Sequence, residues 1–389
     1  RIRLNQAAGR VLAENIHAPT ALPRTALATM DGFAAARADL GGQLPIVGSA
    51  MAGQPYTDKL ASGQTVRIAT GAVVPEGADC VIPIEQAQEQ QGRVGLATDT
   101  ADNIRQPGEE LAAGAVAVAA GTALGSRQLG LLAALGIDRV PVYPRLRIGL
   151  LATGDELRSP GQTLVPGSIY ESNRLLLAAL LCELGFAALD LGIAADDRHD
   201  LEAALERAHA QCDVIVTSGG ASVGSRDLIR QMLIERGSIR MWKVAMKPGR
   251  PFIAGNYRGR PVYGLPGNPV SAYACLLLLV VPALWKGSGH DPIPTWPRLS
   301  AQAGQTIIKK PGRADYQRGL ASTNPDGSWQ VVAVADQSSA SLTGLVAANC
   351  LIELAPESDG VEAGAPVAII PLPGTFPYFL AKASSSALS

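Results

Sequence analysis

The sequence predicts an α/β multidomain protein whose central part is a mostly parallel sheet flanked by helices. Three observations carry that reading. From residue 145 onward, strand-like and helix-like runs alternate: "RLRIGLLAT", "NRLLLAALLCELG", "FAALDLGIA", "HDLEAALERAHA", "CDVIVTSGG", "RDLIRQMLIERG", then "VYGL" and "VSAYACLLLLVV". Such alternation is the pattern of parallel strands joined by helical crossovers. Residues 43–110 instead hold short Val/Ile-rich runs divided by Gly and Pro, as in a compact β domain. The length, 389 residues, exceeds what one hydrophobic core usually organises.

The elements run in chain order. Residues 4–14, "LNQAAGRVLAE", read as an amphipathic helix, and 125–137, "GSRQLGLLAALGI", as a second helix; whether the two pair, leaving the β domain between them as an insertion, stays open on the residues. The α/β domain spans 145–286. Residues 287–389 comprise a Pro/Gly-rich linker and a C-terminal β domain.

Composition excludes several classes. Lys and Arg number 33 against 34 acids, a net charge of -1, and no dense basic patch appears, so nucleic acid is not an expected partner. The cysteines at 80, 182, 212, 275 and 350 form no CxxC pair, which fits a reducing, cytoplasmic compartment. The longest apolar run, Ala272–Trp285, is short for a membrane span and contains Pro282.

In open α/β sheets, ligands bind beyond the carboxyl ends of the strands. Three such ends are unusual here. "LLATGDEL" places Asp155 and Glu156 just after a strand. "VIVTSGGASVGSRD" supplies Ser218, Gly219, Gly220, Ser222, Gly224 and then Asp227. "YGLPGNP" supplies Pro266, Gly267, Asn268 and Pro269 at the start of a helix. Free amides and hydroxyls at a helix start suit a phosphate. Each loop alone also reads as an ordinary strand-to-helix turn. No loop matches the Walker A or GxGxxG pattern. "WKVAMKPGRPF" adds Lys243, Lys247 and Arg250, cations suited to an oxyanion. The acids Asp155, Glu156 and Asp227 offer hard oxygen ligands, which favour Mg2+.

Eight motifs in this order carry a family resemblance: "TMDGFA", "TGAVVPEGADCVIPIE", "TGDEL", "YESN", "VTSGGASVGSRD", "KPGRPF", "GLPGNPVSA" and "GRADYQRG". The chain resembles the molybdopterin molybdenumtransferases over about residues 4 to 370. The resemblance implies a four-part subunit, with a discontinuous, elongated helical region over 1–19 and 113–144 and a β domain inserted at 20–112, and a homodimer whose cleft is composite, shared between the α/β domain of one subunit and β domains of the other. It implies a reaction of adenylylated molybdopterin with molybdate, assisted by Mg2+, giving molybdenum cofactor and AMP. A transient encounter with the molybdopterin adenylyltransferase is an expected partnership. By motif, Asp31, Glu156, Asp227 and Lys247 match the catalytic group. Thr70, Pro266, Pro269 and, in the C-terminal domain, Ser339 match substrate contacts. Arg250 stands where the family often has Lys, Glu110 where it often has Asp, Thr29 for Ser and Phe33 for Tyr. Two other classes remain open on the sequence: a molybdopterin-binding scaffold without catalysis, and a Mg2+-dependent nucleotide or pyrophosphate hydrolase on the same α/β domain.

Overall fold

The computed structural model describes residues 1–99, 101–219 and 228–375. The chain forms two compact units. One consists of residues 14–120 and 126–140; the other consists of Arg1–Ala13, Gly121–Gly125 and the chain from Pro141 on.

The first unit is built on six strands: β1 (Gly32–Ala35), β2 (Gln43–Ala50), β3 (Thr65–Ile68), β4 (Cys80–Pro83), β5 (Ala87–Gln90) and β6 (Arg93–Leu96), in the order β4-β1-β3-β2-β6-β5. Alternate residues feed two cores. Ala34, Val66 and Val81 face one, and Phe33, Ala35 and Ile82 the other, the two-residue period of a sheet covered on both sides. Helix α1 (Ser126–Ala134) belongs to this unit.

The helix expected over 4–14 does not form. Leu4–Gln6 make one 3-10 turn, and Gly9 then takes φ 69°. That left-handed conformation ends helical winding. Val11 and Leu12 go on extended, bridging to Ala123 and Val142. Their apolar spacing serves strand-like contacts, so the helical content expected of this region lies in α1 alone.

The second unit holds a six-stranded sheet. Its strands are β7 (Arg147–Thr153), β10 (Ala187–Ala194), β11 (Val214–Ser218), β12 (Gly237–Trp242), β14 (Ile253–Tyr257) and β15 (Arg260–Leu265), in the order β10-β7-β11-β15-β14-β12. The first four pair in parallel; β14 and β12 add an antiparallel edge. The short strands β8 (Leu157–Arg158) and β9 (Ile169–Tyr170) pair beside it, and β13 (Met246–Lys247) lies between β12 and β14 in sequence. Helices α2 (Asn173–Glu183) and the long run from Pro269 to Gly287 contribute to one core. Helices α3 (Arg198–Gln211) and α4 (Leu228–Arg236) contribute to the other. The strands show why: Val214 and Val216 enter the first core, while Ile215 enters the second.

The run from Pro269 comprises α5 (Pro269–Cys275), a wide turn over Leu276–Val280 and α6 (Val281–Gly287). The wide turn precedes Pro282, which has no N–H for the usual helical bond. By length and composition this run is apolar enough to cross a membrane, yet most of it is buried inside the protein.

The C-terminal strands are β16 (Leu299–Ala303), β17 (Ile307–Ile308), β18 (Ala314–Thr323), β19 (Trp329–Ala333), β20 (Cys350–Leu354), β21 (Gly360–Val361) and β22 (Pro366–Pro371), with α7 (Leu342–Val346) between β19 and β20. Five of them close a ring, β18-β19-β16-β22-β20 and back to β18. Within β18, residues 319–323 pair with β19, leaving Ala314 and Asp315 free on that side. Met246 and Lys247 of β13 take those places, in parallel.

Candidate active cleft

Two adjacent hollows open where the parallel strands end. The first, about 830 Å³, is lined by Thr153 at the end of β7, Ser218 at the end of β11, and Pro266 to Pro269 after β15. The three loops singled out in the sequence therefore meet at one cleft. Glu156, Asp196 and Tyr170 also line it.

The loops touch through their backbones. Gly219 has φ 89°, and a Cβ there would lie 2.4 Å from the Thr153 carbonyl. No other residue type fits that approach without displacing a strand end. Asn173 joins the remaining two loops: its Nδ2 donates to Ser218 Oγ (2.6 Å) and to the Gly267 carbonyl (2.7 Å). Beside it, buried Glu171 accepts from the Arg174 amide (2.9 Å) and Nε (3.0 Å), and Arg174 also pairs with Asp190. Asp155 is turned to an internal task, its Oδ1 accepting the Asp196 amide at 2.9 Å. Glu156 folds back toward Gly154, where a Cβ would lie 2.7 Å from its carboxylate oxygens. Among the described residues, Thr153 Oγ1, Asn173 Oδ1 and Thr217 Oγ1 are buried without a partner.

The second hollow, about 480 Å³, shares Pro251, Pro266 and Asn268 with the first and is cationic. Lys247, Arg250, Arg313 and Arg318 line it. Lys247 Nζ lies 3.3 Å from Asp315 Oδ2, an acid only 3 % exposed. Arg318 is fully buried and donates to the carbonyls of Ser341 (3.0 Å) and Asp336 (2.7 Å). Burial lowers its pKa, partly offset by Asp336. Ser339 ties this wall to the start of α5: its Oγ accepts from Asn268 Nδ2 (2.8 Å), and its carbonyl accepts from the Val270 amide (3.1 Å).

Asp31 and Thr70 belong to the other unit and bond each other. The Asp31 carboxylate accepts from the Thr70 amide (2.7 Å) and hydroxyl (2.8 Å), which hold its pKa below the usual aspartate value. Gly220, Ser222, Gly224 and Asp227 lie outside the described residues. Sequence reasoning named no role for Asn173, Asp196, Arg313 or Arg318. Asn173 and the two arginines stand inside quoted motifs, but the groups that give Asn173 its meaning are 45 and 94 residues away.

Glu156 and Asp196, carboxylates of the type a hard cation takes, both line the first cleft. The one tight His/Asp group among the described residues, Asp197, His199 and Asp200, is exposed at the start of α3, where Asp197 caps the helix. The buried thiols are poorly suited to metal or nucleophilic work. Burial pushes Cys80 up to about 11 and Cys275 and Cys350 to about 12.

Comparison with known proteins agrees along the chain. Residues 1–136 match the MoeA N-terminal region (domain I and II), 149–286 a probable molybdopterin binding domain, and 300–372 the MoeA C-terminal region (domain IV). The molybdopterin molybdenumtransferase of Haemophilus influenzae is 38 % identical over 375 residues, covering 95 % of this chain and 93 % of that protein. Molybdopterin molybdenumtransferase 2 of Mycobacterium tuberculosis is 34 % identical, covering 93 % and 92 %. A crystal structure of a molybdopterin biosynthesis MoeA protein from Pyrococcus horikoshii superposes with a TM-score of 0.80 at 30 % identity, covering 96 % of this chain and 94 % of that one. With two hollows at the strand ends and this similarity running through every domain, the chain belongs to the molybdopterin molybdenumtransferase family.

Proposed function

We propose that the protein inserts molybdenum into adenylylated molybdopterin, consuming molybdate and releasing AMP. The observation that carries this reading is the pairing of the hollows: a polar cleft sized for a large ligand shares a wall with a cationic pocket sized for an oxyanion. The pterin and phosphate lie in the first cleft, against Ser218, Gly219 and the Pro266–Pro269 turn. Molybdate enters the second, where Lys247, Arg250 and Arg318 offset its charge. The dithiolene sulfurs of the substrate receive the metal, so no protein thiol is required.

Glu156 would hold Mg2+, with Asp155 and Asp227 as the further ligands expected from sequence; Asp196 offers a further carboxylate on the cleft lining. Mg2+ there would neutralise charge on the phosphoanhydride. Lys247 keeps its ammonium toward the oxyanion while Asp315 restrains it. Thr70 holds Asp31 ionised, ready to orient water or a molybdate oxygen. Asp31 belongs to a separate unit, and we assign it to the cleft of a partner subunit in a homodimer, encountered transiently by the adenylyltransferase that makes the substrate.

The test is AMP release from adenylylated molybdopterin by the purified protein. Stoichiometric AMP and cofactor that require molybdate support the reading. AMP release indifferent to molybdate identifies a hydrolase instead, and bound pterin without turnover identifies a scaffold. For the composite site, Asp31→Ala and Glu156→Ala homodimers are each inactive, and mixing them restores roughly one quarter of the activity after random exchange. Verified heterodimers without recovery exclude the shared site.

A further inference from the structure

Asn173 opens α2, and 8 % of its surface is exposed, on the first cleft. The Gly267 carbonyl, 2.7 Å from Nδ2, can only accept, and this fixes the orientation of the amide. The flipped rotamer would set oxygen against oxygen. With the second hydrogen given to Ser218 Oγ at 2.6 Å, the amide nitrogen is fully used. Ser218 is therefore an acceptor toward Asn173, and its own proton must point elsewhere. Among the described residues nothing accepts it; Thr153 Oγ1, on the lining of the same cleft, has no partner. Ser218 lines the cleft, so the direction left open is the ligand.

The other half of the amide strengthens the case. Asn173 Oδ1 is buried without a partner among the described residues. An unpaired buried acceptor costs stability. A side chain kept only for packing would not incur that cost.

We propose that Asn173 is a positioning residue that fixes the Ser218 hydroxyl as a hydrogen-bond donor toward an anionic ligand oxygen, here the adenylate phosphate, and holds the Ser218 and Gly267 loops at the spacing that donor needs. The identity of the phosphate rests on the function proposed above; the orientation of the hydroxyl does not.

The experiment is a double-mutant cycle on AMP binding, read by calorimetry with AMP as the probe. Asn173→Leu is a neutral replacement of similar size that cannot donate. It weakens AMP binding roughly tenfold, the order expected for a hydrogen bond to a charged acceptor. Ser218→Ala weakens it at least as much, and the double variant binds no more weakly than Ser218→Ala alone. Should Asn173→Leu fail to fold, Asn173→Ala runs the same cycle, with thermal melts verifying the fold. Losses that multiply in the double variant mean that Asn173 merely braces the loops, and overturn the inference. Multiplying losses in a protein whose wild type still releases AMP overturn the inference alone. Wild-type protein that neither binds nor releases AMP overturns the proposed function and the inference with it.

Discussion

The first cleft has carboxylates on its lining, Glu156 and Asp196 among them, together with the hydrogen-bonded pair Asn173 and Ser218. The second has Lys247, Arg250, Arg313 and Arg318 around one buried acid, Asp315. Among the described residues the two share Pro251, Pro266 and Asn268. The difference separates two recognition problems. A cleft of directional donors and acceptors suits a large heterocycle with a phosphate. A pocket with excess positive charge suits a small oxyanion, for which charge matters more than direction.

The largest expected effect tests the second pocket. Lys247→Met lowers molybdate-dependent turnover by roughly 10²-fold or more, if the ammonium stabilises charge in the transition state. It also destabilises the fold, because the buried Asp315 loses its cation and keeps the neutral Gln317 amide, 3.3 Å away. Adding Asp315→Asn restores the melting temperature but not turnover. Recovered turnover in that double variant removes the assignment.

Next in size, Glu156→Gln should raise the Mg2+ concentration needed for half-maximal AMP release about tenfold or more. The KM for molybdate should not change. A shift in both would mean the hollows do not act separately.

A smaller effect falls on stability. Gly219→Ala forces a Cβ toward the Thr153 carbonyl at a left-handed φ, at a cost of about 1–3 kcal/mol in urea denaturation. Gly267→Ala, whose Cβ would meet nothing closer than 3.9 Å, is the control that melts near wild type.

The smallest concerns pH. Asp336, whose carbonyl supports Arg318, has its carboxyl held below the ordinary aspartate value by Ser341 and Ser338. A depressed folded-state pKa contributes stability that is present above the unfolded value, near 3.9, and is lost as pH falls through the folded one. Asp336→Asn should therefore flatten the acid limb of melting temperature against pH below about 4. An unchanged acid limb would show that this carboxylate does not stabilise the pocket wall.

The contrast between the hollows also explains what was legible. Each loop of the first cleft directly follows its own strand, so the strand rhythm and the Gly/Pro punctuation located Thr153, Ser218 and Pro266 together. The second pocket is assembled by pairing Lys247 with Asp315, 68 residues apart, which no local period reveals. Strand β12 left little signal because it is an edge strand exposed on both faces, without hydrophobic alternation. Residues 4–14 misled because apolar spacing cannot tell a helix from an extended segment once Gly9 turns left-handed. Asn173 was visible as a residue and invisible as a link.

The placement of β13 has a practical side for anyone who would cut this chain into parts. Sequence punctuation invites a break near residue 287, separating the α/β domain from the C-terminal strands. Yet Met246 and Lys247 cover Ala314 and Asp315 of β18, the stretch that β19 leaves bare. A fragment beginning at the linker would carry that stretch as an open strand edge, ready to pair with another copy. Truncation of this protein is therefore an aggregation experiment, unless the excised piece brings its borrowed strand along.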